Sequence, residues 1–242
     1  MPDGRGGKMI LEVAQINTFY GSGHILFDVS LEITEGEVVV LLGRNGAGKS
    51  TTLKTIMGLV HPRSGKITFK GLRVDGLPSY KIARRGMGFV PEDRIIFPDL
   101  TVRENLEIAL KKTAKGKGFW TIQKIFGFFP VLEKFQSREG GTLSGGEQQM
   151  LTIARTLMGN PELLLLDEPV EGLAPLVVKM LGEIINQIKD QGIALLVSEQ
   201  NVKFAFKIAQ KVYIIDKGMI RYQGSVEELR ENEEIKKKYL AV

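Results

Sequence analysis

Gly43-Arg44-Asn45-Gly46-Ala47-Gly48-Lys49-Ser50 satisfies G-x-x-x-x-G-K-[ST] at every fixed position. The spacing suits phosphate chemistry. Glycines let consecutive backbone N–H groups turn inward onto phosphate oxygens, and a helix opening at the end of the loop adds its partial positive charge. Lys49 is then placed to reach the β- and γ-phosphates of a nucleotide, and the Ser50 hydroxyl to ligate Mg²⁺. Further along, the apolar run Leu163–Leu166 ends in Asp167 and Glu168. Acids at the carboxyl end of a parallel strand emerge where open α/β sheets bind their ligands. Asp167 suits a Mg²⁺ ion that keeps much of its water. Glu168, one residue beyond, suits polarisation of an attacking water.

A third segment, Leu143-Ser144-Gly145-Gly146-Glu147-Gln148-Gln149, has the form of a capping box, with Ser144 and Glu147 opening a helix. A cap does not need two glycines, which weaken the first turn. The expectation is that a phosphate or another backbone comes very close there. A serine hydroxyl, free N–H groups and a helix start form a second anion site. One nucleotide can occupy both sites when two chains meet head to tail.

Short β-rich runs alternate with helix-length amphipathic segments, which predicts a parallel sheet covered by helices. Strands are expected at Ile10–Ile16, Val38–Leu42, Lys66–Phe69, Gly88–Val90, Leu163–Leu166, Ala194–Val197 and Val212–Ile215. Val38–Leu42, Leu163–Leu166 and Ala194–Val197 are apolar without alternation, as strands buried on both faces are. Helices are expected at Lys49–Leu59, Val102–Lys112, Gly146–Met158, Leu176–Lys189 and Val202–Ala209. Between Asp93 and Thr142 the strand signals stop. Six of the twelve phenylalanines and the only tryptophan, Trp120, lie between Phe97 and Phe135. That density predicts a helical insertion with a small core of its own; a docking surface formed by some of the rings is the alternative reading.

The bulk properties set limits. At 242 residues, 43% hydrophobic and 25% charged, the chain is long enough for a substantial core. Its apolar runs are too short to cross a bilayer. The opening residues, 1–8, are polar and glycine-rich, without the apolar stretch of a secretory signal, and read as a flexible leader. The absence of cysteine excludes disulfides and thiolate chemistry. The net charge of +5 is compatible with nucleic acid, an anionic membrane surface or anionic small ligands. The lysines are dispersed apart from small clusters at Lys111–Lys117 and Lys236–Lys238.

With these segments in order, the chain resembles the ABC ATPases, Leu143–Gln149 matching that family's signature segment. The resemblance implies an α/β fold of the P-loop NTPase, ABC ATPase type: a mostly parallel sheet core flanked by helices, an antiparallel β subdomain and a helical subdomain. It divides the chain into a leader at 1–8 and an ABC ATPase domain at 9–242. Within the domain, 9–92 and 143–242 are catalytic core with the β subdomain, and 93–142 is the helical subdomain that docks on a transmembrane partner. It implies ATP and Mg²⁺ as cofactors. ATP would be held by Gly43, Asn45, Gly46, Ala47, Gly48, Lys49, Ser50 and Thr51, with Tyr20 stacking on adenine. Ser144, Gly145, Gly146 and Glu147 would face the γ-phosphate held by the opposite subunit. Ser50, Asp167 and Glu92 would serve the metal, and Glu168, Lys49 and Gln200 the catalysis. Phe89-Val90-Pro91-Glu92 looks like the loop that couples metal binding to the membrane subunit.

Three positions depart from the family pattern. Glu92 stands where glutamine is usual, Gln200 where a switch histidine is usual, and Ala174 where an aspartate is common. With Val90-Pro91-Glu92, Gly172-Leu173-Ala174-Pro175, Glu199-Gln200-Asn201 and the tail from Asn232 to Leu240, they look like the shorter ATPase subunit of branched-chain amino acid importers. An importer of urea or short amides is the alternative within the family. The expected partners are a second ABC ATPase subunit (a copy, or more naturally a paralogue), transmembrane permeases and, indirectly, a periplasmic or extracellular solute-binding protein. The expected place is cytoplasmic, peripheral on the inner face of the membrane. A nucleic-acid-associated ATPase fits the charge, but the long coiled-coil insertion or second cassette usual there is missing, and no nucleic acid is expected. A P-loop kinase would leave Leu143–Gln149 without a role.

Overall fold

The computed structural model describes residues 7–110 and 119–240. Most of the expected leader, the Lys111–Lys117 cluster and the end of the helix expected over Val102–Lys112 lie outside the described residues.

The chain opens with two long strands, β1 (Met9–Tyr20) and β2 (Gly23–Thr34), followed by the short β3 (Val38–Leu42) and helix α1 (Lys49–Ile56). Then come β4 (Ser64–Phe69), β5 (Leu72–Arg73), α2 (Ser79–Arg84) and β6 (Met87–Val90). Three short helices follow: α3 (Val102–Glu107), α4 (Ile122–Phe128) and α5 (Pro130–Lys134). The second half alternates α6 (Gly145–Met158), β7 (Leu163–Asp167), α7 (Pro175–Asp190), β8 (Ala194–Glu199), α8 (Val202–Ile208) and β9 (Lys211–Asp216). Strand β10 (Met219–Ser225) and helix α9 (Val226–Glu231) lead into the last turns.

Among the described residues there are two sheets. One has six strands in the order β10-β9-β3-β8-β7-β6, parallel throughout except where β10 meets β9; the other is antiparallel, β2-β1-β4-β5. Strands β3, β7 and β8 are buried along their whole length. Their alternate residues feed two different cores. Val38, Val40, Leu42, Leu164, Leu166, Leu195 and Val197 pack on the helical side. Val39, Leu41, Leu163, Leu165 and Leu196 face the core shared with the antiparallel sheet. Apolar burial on both faces removes the alternation that would otherwise mark a strand.

No strand is expected over Gly23–Thr34 from the sequence, yet it pairs with β1 along almost its full length. Its buried Val29, Leu31 and Ile33 alternate with outward polar residues, a period-two pattern legible in the sequence. Helix α3 is shorter than expected. It ends at Glu107; beyond it Ile108 and Leu110 are exposed, while Ala109 still packs against the core.

The expectation of a separate core in the helical stretch is corrected. Trp120, Ile125, Phe126, Phe129 and Leu132 belong to the same buried cluster as Val40, Leu164 and Leu166 of the parallel sheet. The aromatic rings there attach the short helices to the common core through α6, whose Leu151, Ala154 and Met158 lie between.

Candidate functional site

The phosphate loop runs from the end of β3 into α1. Gly48 adopts φ 112°, and a Cβ there would stand 2.9 Å from Leu26 Cδ2. Both the backbone angle and the close approach require glycine. The loop is held to the sheet by Gly43 N–H donating to the Glu199 carbonyl at 3.1 Å, and to the β9–β10 turn by Gly218 N–H donating to the Ala47 carbonyl at 2.8 Å.

Lys49 is almost wholly buried and spends every proton it has. It donates to the carbonyls of Gly43 at 2.8 Å and Arg44 at 3.0 Å, and pairs with Glu168 Oε1 at 2.9 Å. Ser50 donates its hydroxyl to Asp167 Oδ1 at 2.9 Å. The same oxygen accepts from Ser198 Oγ at 2.6 Å, and Ser198 Oγ in turn accepts from Glu168 N–H at 3.1 Å. Parallel pairing of β7 with β8 sets Asp167 opposite Ser198, so register alone brings the hydroxyl to the carboxylate.

Glu168 takes φ 46°, a left-handed conformation at a residue with a side chain, the kind of strain that persists where surrounding bonds over-determine it. Burial pushes its carboxyl pKa upward, opposed by the Lys49 contact and assisted by the Glu171 and Asp167 charges. Its Oε2 is buried without a partner. An unpaired acceptor beside a lysine is what a base for an incoming water needs. Glu199, at the end of β8, is buried with Oε1 unpartnered, and burial first, with Glu168 nearby, raises its pKa to about 8. Glu92 is also pushed up, by burial and then by Glu171, Asp167 and Asp93, with Lys54 opposing.

A pocket of about 420 Å³ collects Tyr20, Ile25, Asn45, Gly46, Gly48, Lys49, Ser50, Thr51, Glu92, Glu168 and Glu171. Residues from four separate parts of the sequence thus meet in one cleft. Tyr20, the last residue of β1, is half exposed at its edge. Gly43, Ala47 and Asp167 stand behind this lining. Gln200 is exposed, just past β8, and does not line the cleft.

Ser144, Gly145, Gly146 and Glu147 also lie outside the cleft. They form the start of α6, where the capping box is complete: Ser144 N–H donates to Glu147 Oε2 at 2.8 Å and Ser144 Oγ accepts from Glu147 N–H at 3.5 Å. Each of the two glycines has a close neighbour within the chain. A Cβ on Gly145 would stand 2.5 Å from Arg94 Nη1, and one on Gly146 would stand 2.9 Å from Val177 Cγ1. Within one chain, these two side chains stand closest to the glycines.

Ser198, Glu171 and Arg94 escape the sequence reading. Ser198 had a usable signal, a hydroxyl closing an otherwise apolar buried strand. Glu171 and Arg94 had none, since each acts through a turn whose path the sequence does not specify.

Residues 26–171 match the family model described as ABC transporter. The chain belongs to the ABC transporter family. It is 41% identical over 231 residues to the high-affinity branched-chain amino acid transport ATP-binding protein BraG of Pseudomonas aeruginosa, covering 96% of this chain and 99% of that one. It is 35% identical to the lipopolysaccharide export system ATP-binding protein LptB of Haemophilus influenzae, covering 96% and 97%. A solved ATP-binding subunit of an ABC transporter superposes with a TM-score of 0.77 at 32% identity, covering 91% of this chain and 92% of that one. The fold is that of an ABC ATPase. The chain is an ATP-binding, ATP-hydrolysing subunit of this family.

Proposed function

We propose that this ABC ATPase powers the import of branched-chain amino acids, binding MgATP between two subunits and hydrolysing it to drive permeases. The observation that carries the chemistry is the Lys49–Glu168 pair at 2.9 Å, enclosed in one cleft with Tyr20, Ser50 and Glu92. Triphosphate entering the cleft exchanges the Lys49 contacts to Gly43, Arg44 and Glu168 for phosphate oxygens. Glu168 is thereby released with a raised pKa and a free Oε2, ready to take a proton from the attacking water. Tyr20 offers its face to the base, and the backbone N–H groups of Asn45 to Thr51 hold the phosphates.

The residues present fit Mg²⁺. Ser50 and Asp167 supply a hydroxyl and a carboxylate within 2.9 Å of each other, with Glu92 across the cleft. Among the described residues no cluster of three or more acidic or histidine side chains could cage an ion, which suits a metal that retains water and phosphate ligands. Bound there, the ion would neutralise charge on the β- and γ-phosphates.

Ser144 and Gly146 open α6 away from this cleft, so their role is toward ATP held by a second cassette, a copy or a paralogue. Gln200 would act in the closed dimer as a neutral hydrogen-bond donor to the γ-phosphate. Residues 9–92 and 143–242 act as catalytic core and 93–142 as the helical subdomain. The seat for a permease is an open groove of about 500 Å³ lined by Met57, Leu59, Tyr80, Phe89, Ala109 and Pro161. Phe89 lies in this groove and Glu92, three residues on, lies in the ATP cleft. One short segment therefore spans both. Among the described residues no helix is long and apolar enough to cross a membrane, and the subunit works on the cytoplasmic face through these permeases.

The similarity to BraG over nearly the whole chain supports the amino acid assignment, with Glu92, Ala174 and Gln200 pointing the same way. Reconstitution with the permeases and solute-binding protein tests it. Leucine-loaded binding protein should stimulate ATP hydrolysis, and stimulation only by another solute class would overturn the substrate.

A further inference from the structure

Arg94 lies between the two nucleotide-facing regions of the chain. Its Nη2 donates to the Glu171 carbonyl at 2.7 Å. Its Nη1 lies across Gly145, only 2.5 Å from where a Cβ would be. Its backbone takes φ 48°, a left-handed conformation that a side chain disfavours and that the Glu171 hydrogen bond helps to maintain.

The residues on either side of that guanidinium matter for ATP. Glu171 lines the cleft and bears on both Glu168 and Glu92. Gly145 is the first residue of α6, adjacent to Ser144 and Gly146. A Cβ on Gly146, in turn, would meet Val177, in the first turn of α7. A planar fork is suited to this position because one N–H edge can bond the Glu171 carbonyl while the flat remainder lies against Gly145, where no side chain stands.

We infer that Arg94 is a positioning residue that clamps the start of α6 to the turn after Glu168. It thereby fixes the spacing between the half-site that binds the chain's own ATP and the half-site offered to the partner's ATP. Arg94 acts on closure of the dimer rather than on the first binding of nucleotide. The inference rests on the reading that Ser144 and Gly146 face ATP of a second cassette.

The test uses the full chain carrying Glu168→Gln, with fluorescent ATP titrations for single-subunit affinity and light scattering for MgATP-driven dimerisation. Adding Arg94→Ala should leave nucleotide affinity within about twofold while weakening dimerisation about tenfold, the effect of losing one charge-assisted hydrogen bond. Arg94→Lys keeps the charge but not the fork, and should be as weak as Arg94→Ala. Arg94→Met, which keeps the apolar stem but has no donor, should reproduce the loss and serves if Arg94→Ala does not fold. Dimerisation equal to the parent in these variants would overturn the inference. So would full rescue by lysine, or a parallel loss of nucleotide affinity. Failure of the Glu168→Gln parent itself to dimerise refutes the shared-ATP reading and takes this inference with it.

Discussion

Replacing either partner of the Lys49–Glu168 pair should have opposite consequences. The side chains are 3% and 6% exposed and 2.9 Å apart. In Glu168→Gln the lysine keeps its carbonyl acceptors on Gly43 and Arg44 and gains a neutral amide oxygen, so no charge is left without contacts. A buried ion pair replaced by a well-packed neutral group of similar volume is often nearly neutral for stability, and the change should stay within about 1 kcal/mol. The carboxylate no longer competes with phosphate for Lys49. A charged acceptor contributes about 1 kcal/mol more than a neutral one, so ATP should bind about fivefold more tightly. Turnover should fall at least about 100-fold with loss of the base. Lys49→Met instead leaves Glu168 buried and unpaired, at a cost of about 3 kcal/mol, and should lose most nucleotide affinity. Because burial raises the Glu168 pKa, protonation relieves that penalty, and the deficit of Lys49→Met should shrink as pH is lowered. Urea unfolding at neutral and mildly acidic pH, with nucleotide titrations of both variants, measures each quantity. Weaker ATP binding by Glu168→Gln, or equal stability loss in both variants, would refute the competition between carboxylate and phosphate.

Glu199 should make the native protein lose stability as pH rises. Its folded pKa of about 8 exceeds the usual 4.5, so the folded state holds the proton across that interval and stability falls through it. Glu199→Gln should flatten the profile between those values in urea titrations; an unchanged profile would remove Glu199 as its source. Tyr20→Ala should raise the ATP dissociation constant about tenfold, from the loss of one base-stacking platform, while inorganic triphosphate binds as before. Equal weakening of both ligands would place Tyr20 elsewhere than under the base. Gly48→Ala, forced to φ 112° with its Cβ near Leu26, should cost about 1–3 kcal/mol in thermal unfolding and impair nucleotide binding.

Much of the site was legible in the sequence because its parts are local. The loop Gly43–Ser50 and the pair Asp167–Glu168 each follow a buried apolar strand, and strand order then brings them within 2.9 Å. The capping box at Ser144 was readable for the same reason. What escaped depends on pairing between distant segments. Ser198 reaches Asp167 only because β7 and β8 are in parallel register, and Arg94 reaches Gly145 only after the chain crosses from β6 to α6. Gly145 and Gly146 show the same limit: a glycine signals a close neighbour, but not which one, and within the chain those neighbours are Arg94 and Val177. The aromatic residues from Phe97 to Phe135 misled in a similar way. Their density marks burial, while only the folded chain shows that Trp120 and Phe129 share the core of the parallel sheet.

Sharing of each ATP between two chains is tested most directly by mixing two defective proteins. In a Glu168→Gln background that traps ATP in a dimer, Lys49→Ala removes the loop half of each site and Ser144→Arg removes the helix half. Neither protein alone should retain labelled ATP, whereas their mixture should recover one retained ATP per dimer, because one site in the mixed pair has both halves intact. Retention by either protein alone, or none by the mixture when the parent retains it, would contradict a site built from two subunits.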